Sequence, residues 1–133
     1  MFVESLKSYT DDRGDLYPIN FNEIPFQPKR MFIVSEVPKG VKRGDHAHFE
    51  TEQFLICLKG QVEVILYDGY ETVKTVLNPM QGVYVPNLVW DSQIFNTEDD
   101  ILLVLASTDY DRDDYIEDPA VFKAHAVFKG LKK

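Results

Sequence analysis

Two histidines stand one residue apart in the stretch RGDHAHFETEQFLICLKG, which covers residues 43–60. A β-strand turns alternate side chains to the same face, so His46 and His48 point the same way if this segment is extended. Histidine has an ordinary pKa near neutrality and is also a common metal ligand. The pair therefore predicts proton transfer or metal binding on one face of a strand, and a purely structural role is the remaining alternative.

The pattern around the pair is that of an all-β protein. Apolar residues recur mainly with a period of two, and turn sequences recur at the spacing that is typical of a sandwich or barrel. The Lys-Gly turn at residues 59–60 and the Asp68-Gly69 hairpin divide residues 53–77 into three antiparallel strands. ILLVLA, residues 101–106, is predicted to be a strand buried on both faces. The interior is therefore a closed or nearly closed β structure.

Short strands are predicted before the histidines, and a helix is predicted near the C-terminus. TDDRGD, residues 10–15, forms a turn between two short strands, and RMFIVSEV, residues 30–37, forms a strand that ends at PKG. Helix is predicted at the C-terminal end alone, where Asp118 caps and Pro119 suits the first turn. One helical stripe is predicted to carry Val121, Phe122, His125 and Phe128.

Composition restricts the class of protein. A chain of 133 residues with 44% hydrophobic content supports one core, so we predict one domain. It contains no 18-residue apolar run and no secretory signal pattern, which predicts a cytoplasmic protein that does not enter the membrane. The single cysteine, Cys57, is predicted to be a buried thiol, and it excludes intrachain disulfides and cysteine-based zinc sites.

The charge distribution is uneven. A net charge of −8 argues against nucleic acid as a partner. Between Lys29 and Arg43, however, five cations face one acid directly ahead of the histidines, which predicts a basic approach to the site. The segment from Glu98 to Asp118 holds nine acids against one arginine, and we interpret it as solvated strand ends and turns that favour solubility.

The spacing around the histidines resembles the first sequence motif of the cupin superfamily, which consists here of Gly40, His46, His48, Glu52 and Gly60. GVYVPNLVWDSQIFN, residues 82–96, resembles the second motif but has leucine at 88 where glycine is usual and aspartate at 91 where histidine is usual. The resemblance implies an all-β, cupin-type double-stranded β-helix, a jelly-roll barrel, with a short C-terminal helix. In metal-dependent cupins, the positions of His46, His48, Glu52 and Asp91 supply the ligands, which makes a metal enzyme an alternative.

Further segments extend the resemblance over most of the chain, to the dTDP-sugar 3,4-ketoisomerases. These segments are DDRGDL, IPF with Arg30, RGDHAH, LKGQVEVILYDG, YVPNLVW, VLASTDYDRDDYI and Phe122. Members of this family convert dTDP-4-keto-6-deoxyglucose to its 3-keto isomer during synthesis of dideoxy amino sugars for bacterial surface glycans such as lipopolysaccharide. The resemblance implies an isomerase that uses no metal or other cofactor, takes a dTDP-linked 4-keto-6-deoxy sugar, and forms a homodimer with exchanged N-terminal strands, within residues 1–20.

The resemblance also assigns roles within the histidine pair. It implies that His46 is the catalytic base, that His48 assists or positions it, and that Glu52 is a hydrogen-bonding or strand residue. A catalytically silent sugar-nucleotide-binding module is the further alternative. Asp91 stands where the ketoisomerases usually have histidine after the tryptophan, so it either alters the rate or the configuration at C4, abolishes isomerisation, or lies at a tolerant pocket edge.

The nucleotide requires its own contacts. A diphosphate suits the planar fork of arginine, so the candidates are Arg43 and Arg30, with Arg13 as a weaker third. A thymine ring requires an aromatic face or an apolar slot. The aromatic candidates near the motifs are Trp90, which we favour, Tyr84 and Tyr17.

Overall fold

A computed structural model describes residue 1 and residues 3–133 of the chain. The described residues form twelve strands, two short 3-10 turns and one α-helix. The strands are β1 (Val3–Ser5), β2 (Tyr9–Asp11), β3 (Gly14–Leu16), β4 (Arg30–Val34), β5 (Lys42–His48), β6 (Gln53–Lys59), β7 (Val62–Tyr67), β8 (Thr72–Leu77), β9 (Gln81–Val85), β10 (Trp90–Phe95), β11 (Ile101–Ala106) and β12 (Tyr115–Ile116). The 3-10 turns are Phe21–Glu23 and Arg112–Asp114, and the helix α1 is Pro119–His125.

Ten of these strands build two five-stranded antiparallel sheets. One sheet has the order β1-β9-β6-β11-β4, and the other has the order β12-β5-β10-β7-β8. Consecutive strands alternate between the sheets at several places, as in a jelly roll. The predicted cupin-type barrel with a short C-terminal helix is thereby confirmed.

The core lies between the two sheets. It is built from side chains of the inward faces, which are Leu55, Cys57, Val62, Val64, Leu66, Leu77, Val83, Val85, Phe95, Leu102 and Val104. β11 is buried on both faces, as its continuous apolar sequence predicts. Cys57 is buried, as predicted, and burial raises the pKa of its thiol to about 11.

Two sequence predictions about element boundaries are wrong. The strand predicted over residues 30–37 ends at Val34, and Glu36 then adopts a left-handed backbone with φ of 60°. Asp118 caps α1 by accepting from the Ala120 amide at 2.8 Å, as predicted. The helix ends before Phe128, however, and Phe122 is the one buried member of the predicted stripe, because its ring packs against Tyr67 and Trp90 of the barrel.

The N-terminal region forms the predicted hairpin, β2–β3, around the turn at residues 12–13. Within the described part of the chain, β2 and β3 pair with each other alone, and all six of their residues are exposed. The described residues contain no helix that is long and apolar enough to cross a membrane.

Candidate active site

A β-bulge interrupts the strand that carries the histidines. Asp91 of β10 pairs with His46 of β5, and the register then shifts by one residue. Gly44 and Asp45 both adopt left-handed backbone at this point, with φ of 75° and 66°, a conformation that glycine and aspartate tolerate better than most residues. Because the bulge adds one residue to the strand, Arg43 lines the same cavity as His46 although three positions separate them.

Asp45 fixes the bulge through its side chain. Its Oδ1 accepts hydrogen bonds from Trp90 Nε1 at 2.9 Å and from Ser92 Oγ at 3.3 Å. The hydrogen bond from Trp90 lowers the pKa of Asp45, so this carboxylate stays ionised. Trp90 also packs against Phe122, with 5.5 Å between ring centroids. Trp90 therefore connects the bulge to α1.

The two imidazoles lie together on the inner face of β5, as the strand alternation predicts. Their ring centroids are 5.1 Å apart and their planes meet nearly edge to face. His46 is half-buried and lines an open cavity, whereas His48 is buried. Burial is the main cause that lowers the pKa of both rings, to about 4 for His48, where the neighbouring His46 adds to the effect. Both rings are therefore neutral at pH 7, the form that accepts a proton.

Asp91 faces the histidines from β10. It is 1% exposed, and its Oδ1 accepts a hydrogen bond of 2.5 Å from Gln93 Nε2. Its Oδ2 has no hydrogen-bond partner among the described residues. Burial raises the pKa of Asp91 to about 7, against the opposing effect of the Gln93 hydrogen bond. The carboxyl group is thus partly protonated near neutrality and can donate or accept a hydrogen bond.

The cavity has a volume of about 450 Å³. Its apolar lining comes from Phe32, Val34, Leu55, Leu102 and Val104, and its polar lining from β-strands comes from Arg43, His46, Gln53, Asp91 and Gln93. The segment from residue 110 to residue 117, which contains the second 3-10 turn and β12, supplies four more side chains, Tyr110, Arg112, Tyr115 and Glu117. A space of this size with convergent polar groups is typical of a small-molecule site.

The three predicted arginines lie in different places. Arg43 lines the cavity. Arg30 lies beside it, with its guanidinium carbon 5.4 Å from the Phe32 ring centroid and 5.6 Å from that of Tyr110. Arg13 lies on the exposed β2–β3 hairpin, where it forms an ion pair of 2.6 Å with Asp11. Within this chain, Arg43 is therefore the predicted arginine that reaches the cavity.

The three predicted aromatic residues do not line the main cavity. Trp90 fixes the bulge, and Tyr17 follows the hairpin. Tyr84 lies on the other side of its sheet, because it alternates with the buried Val83 and Val85 on β9. Its ring packs against Phe26 at a centroid distance of 6.2 Å. The aromatic rings that do line the cavity are Phe32, Tyr110 and Tyr115.

The alternative prediction of a four-ligand metal site is wrong, because Glu52 does not lie with the other three residues. His46, His48 and Asp91 each offer a donor atom within 4.8 Å of the other two, so these three residues could hold a metal. Glu52 instead accepts a hydrogen bond from the Tyr84 hydroxyl, away from the cavity. The next residue, Gln53, lines the cavity in its place, because successive side chains of a strand point to opposite faces.

Four cavity residues come from the acidic segment that we interpreted as solvated turns. Tyr110, Arg112, Tyr115 and Glu117 were not among the predicted site residues, and the segment has no strand or helix periodicity that indicates which side chains point inward. The signal that could have found the first three is the VLASTDYDRDDYI stretch, residues 104–116, which also carries part of the family resemblance, and Glu117 directly follows it.

Comparison with known proteins gives matches along almost the whole chain. The family model described as "FdtA: WxcM-like, C-terminal" matches residues 1–127. The TDP-4-oxo-6-deoxy-alpha-D-glucose-3,4-oxoisomerase of Aneurinibacillus thermoaerophilus is 38% identical over 133 residues, which cover 98% of this chain and 96% of the relative.

Two solved structures are also similar. One is a histidine-to-asparagine mutant of the 3,4-ketoisomerase QdtA from Thermoanaerobacterium thermosaccharolyticum in complex with TDP-4-keto-6-deoxyglucose. It is 37% identical, with a TM-score of 0.88 and coverage of 94% of this chain and 92% of that chain. The other is the WlaRB TDP-quinovose 3,4-ketoisomerase from Campylobacter jejuni, which is 32% identical, with a TM-score of 0.88 and coverage of 93% and 97%.

The antiparallel barrel and its paired histidines, taken with these likenesses, define a cupin-type isomerase. The matches extend over both sheets and over residues 110–117, which line the cavity. The chain belongs to the FdtA-like family of sugar 3,4-ketoisomerases.

Proposed function

We propose that this protein isomerises a dTDP-linked 4-keto-6-deoxyhexose, such as dTDP-4-keto-6-deoxyglucose, to the corresponding 3-keto sugar. The observation that carries the proposal is the His46 ring, which lines the cavity beside the buried His48 and opposite the buried Asp91. The related QdtA structure contains TDP-4-keto-6-deoxyglucose, which supports this choice of substrate. By analogy with the family, the protein acts in the cytoplasm. Its product serves the synthesis of dideoxy amino sugars, which become part of surface glycans.

The reaction moves protons and conserves the composition of the sugar. His46 takes the proton from C3, and the electrons of the C–H bond form a C3–C4 double bond while the C4 oxygen takes up a proton. The resulting enediol then loses the proton of the C3 hydroxyl, and C4 gains a proton. The carbonyl group has then moved from C4 to C3 without an external oxidant or reductant. Asp91 and Gln93 lie beside His46 and are suited to hold the two oxygens through hydrogen bonds.

The diphosphate of the nucleotide is held by arginine. Arg43 and Arg112 both line the cavity, and a guanidinium group binds phosphate oxygens in a planar, two-pronged geometry. Tyr110 lines the same cavity and offers an aromatic face to the thymine ring or the sugar.

We expect Arg43→Ala to weaken the binding of TDP by about 10- to 100-fold, because hydrogen bonds to charged groups each contribute about 1.5–3 kcal/mol. Isothermal titration calorimetry with TDP measures this change. Lys42→Ala is the matched control, since Lys42 lies one residue away on β5 and forms an ion pair with Asp45 at 3.5 Å instead of lining the cavity. Equal losses in the two variants would show that the basic segment acts by its general charge and not through a contact from Arg43.

The experiment that tests the proposed function is incubation of the protein with dTDP-4-keto-6-deoxyglucose in D2O, followed by NMR of the sugar protons. Loss of the C3 proton signal together with the appearance of a 3-keto sugar supports the proposal. Binding of TDP without exchange contradicts it and favours a silent binding module. The same reaction after dialysis against a chelator, with metal analysis of the protein, tests the metal-dependent alternative that the three donors at His46, His48 and Asp91 favour.

The same spectra give the configuration at C4 of the product. Asp91 stands where the ketoisomerases usually have histidine, and its unpartnered Oδ2 faces the His46 strand. We infer that Asp91 contacts the sugar near C4 and contributes to the choice of face for the returning proton. A carboxyl group is shorter than an imidazole, so comparison of the wild type with Asp91→His shows whether this position selects the product.

A homodimer with exchanged N-terminal strands stays a prediction. Two features support it: the β2–β3 hairpin exposes Tyr9 and Leu16, and the edge strand β4 exposes Met31 and Ile33. An edge strand with exposed apolar residues is a surface that proteins usually cover. We expect light scattering to give about twice the chain mass of 15.4 kDa, and a mass of one chain would contradict the dimer.

A further inference from the structure

The ring of Tyr115 packs against both imidazoles. Its ring centroid is 5.0 Å from that of His46 and 4.4 Å from that of His48, with interplanar angles of 74° and 58°. These are the distances and tilts of packed aromatic rings. One tyrosine ring therefore borders the whole histidine pair on the side of β12.

The strand that carries Tyr115 is short. β12 consists of Tyr115 and Ile116, which pair with His48 and Ala47 at the outer edge of the sheet. Two residues at an edge form few ladder hydrogen bonds, and hence the position of Tyr115 depends on other contacts.

Asp114, the residue before Tyr115, supplies those contacts. Its carboxylate accepts hydrogen bonds from the amides of Glu50 at 2.8 Å and Thr51 at 3.1 Å, and also from the Thr51 hydroxyl. Its backbone carbonyl accepts from the Phe49 amide at 2.9 Å. These four hydrogen bonds tie the start of β12 to the turn that directly follows the histidines.

His48 relies on packing for its orientation, whereas a hydrogen bond with the Gly44 backbone also holds His46. His48 Nε2 is buried and has no hydrogen-bond partner among the described residues. A histidine side chain rotates about two bonds, so packing against a fixed ring is a means of holding its orientation. Proton transfer is sensitive to that orientation, because a displacement of about 1 Å can cost about 100-fold in rate.

We propose that Asp114 and Tyr115 act as a positioning pair: Asp114 anchors the edge strand to the turn after the histidines, and the ring of Tyr115 holds the imidazoles in the orientation for proton transfer. The inference rests on the proposed isomerase function. It assigns Tyr115 a role through its ring, and it assigns Asp114 a role through the strand.

The test compares Tyr115→Leu with Tyr115→Phe. We expect kcat for the isomerisation to fall about 30- to 100-fold in Tyr115→Leu with KM changed less than threefold. Tyr115→Phe keeps the ring, and its kcat is expected to stay within threefold of the wild type. Tyr70→Leu is the matched control, because Tyr70 is 66% exposed and packs against Phe128 away from the cavity.

Each result decides between alternatives. A loss in Tyr115→Phe as large as in Tyr115→Leu would overturn the positioning role in favour of chemistry by the hydroxyl, and a normal kcat in Tyr115→Leu would overturn it outright. If Tyr115→Leu does not fold, Asp114→Asn decides: we expect about tenfold lower kcat at unchanged KM, and an unchanged kcat overturns the pairing. NMR signals of the imidazole carbons are expected to shift in Tyr115→Leu, which tests the positioning even if the wild type fails to act on this sugar.

Discussion

Replacing His46 with asparagine is expected to lower the rate of proton exchange at C3 by about 1,000-fold, the middle of the range for general base catalysis. Asparagine approximates the shape of the imidazole near the backbone, but it cannot take up a proton. NMR in D2O gives the exchange rate, and calorimetry with TDP gives the affinity, which we expect to change less than threefold. The histidine-to-asparagine mutant of the related QdtA in complex with its sugar nucleotide shows that such a substitution is compatible with binding there.

His125→Asn is the matched control for this substitution. His125 is exposed on α1, and its Nδ1 lies 2.9 Å from the Val121 carbonyl oxygen, so the variant removes a histidine that does not line the cavity. We expect wild-type exchange in His125→Asn. Undiminished exchange in His46→Asn would remove His46 from the chemistry and leave another group as the base.

The second large effect is on stability, and it follows from the raised pKa of Asp91. The folded protein keeps the Asp91 proton up to about pH 7, whereas an unfolded aspartate releases it near pH 4. The folded state therefore binds more protons between these values, and its stability falls as the pH rises through them. The raised pKa of about 7 corresponds to a cost of about 4 kcal/mol at most above pH 7.

We expect Asp91→Asn to remove that cost, since asparagine does not ionise. The variant is expected to be more stable than the wild type by up to about 4 kcal/mol at pH 8 and nearly equal to it at pH 4. Urea unfolding across this pH range measures the difference. Asp99→Asn, at an exposed carboxylate, is the control and is expected to leave the pH dependence unchanged. Equal pH profiles for Asp91→Asn and the wild type would show that the buried carboxyl does not titrate in this way.

His48 acts in the opposite direction and can be recognised in the same data. Its pKa of about 4 in the folded state means that the unfolded chain binds a proton first as the pH falls below about 6.5. The free energy of unfolding is therefore not lowered by His48 above pH 6.5, and it falls as the pH drops from 6.5 toward 4. In the wild type the two effects oppose each other between pH 4 and 6.5, so Asp91→Asn should reveal the acid destabilisation that His48 causes.

The sequence predicts the barrel and one wall of the site well, because both depend on local patterns. The period of two and the turn residues predict strands such as β6 and β7, which the structure contains. The motif positions predict His46 and Asp91, the basic run predicts Arg43, and the three residues meet because β5 and β10 are neighbouring strands. Local alternation alone, however, puts Arg43 on the wrong face, since the bulge at Asp45 is not visible as a break in the pattern.

The other wall depends on contacts between distant parts of the chain. Arg112 and Tyr115 reach the cavity because Asp114 binds amides 63 and 64 residues earlier. No periodicity encodes such a contact, and an acidic, turn-rich segment has the composition of a solvated loop. The predicted aromatics fail for a different reason. Tyr84 lies on a correctly predicted strand, but the choice between its two faces depends on which neighbours are buried.

The bulge at Gly44 and Asp45 also limits how this chain can change in length. Elsewhere on a strand, residues of one face are an even number of positions apart, but Arg43 and His46 are three apart and line one cavity. Insertion of one residue between them, with the bulge kept, would put an even count across the bulge and separate the guanidinium from the imidazoles, with one of them turned outward. A surface loop tolerates the gain of one residue, whereas here one residue decides whether the group suited to the nucleotide and the groups suited to move protons lie on the same face.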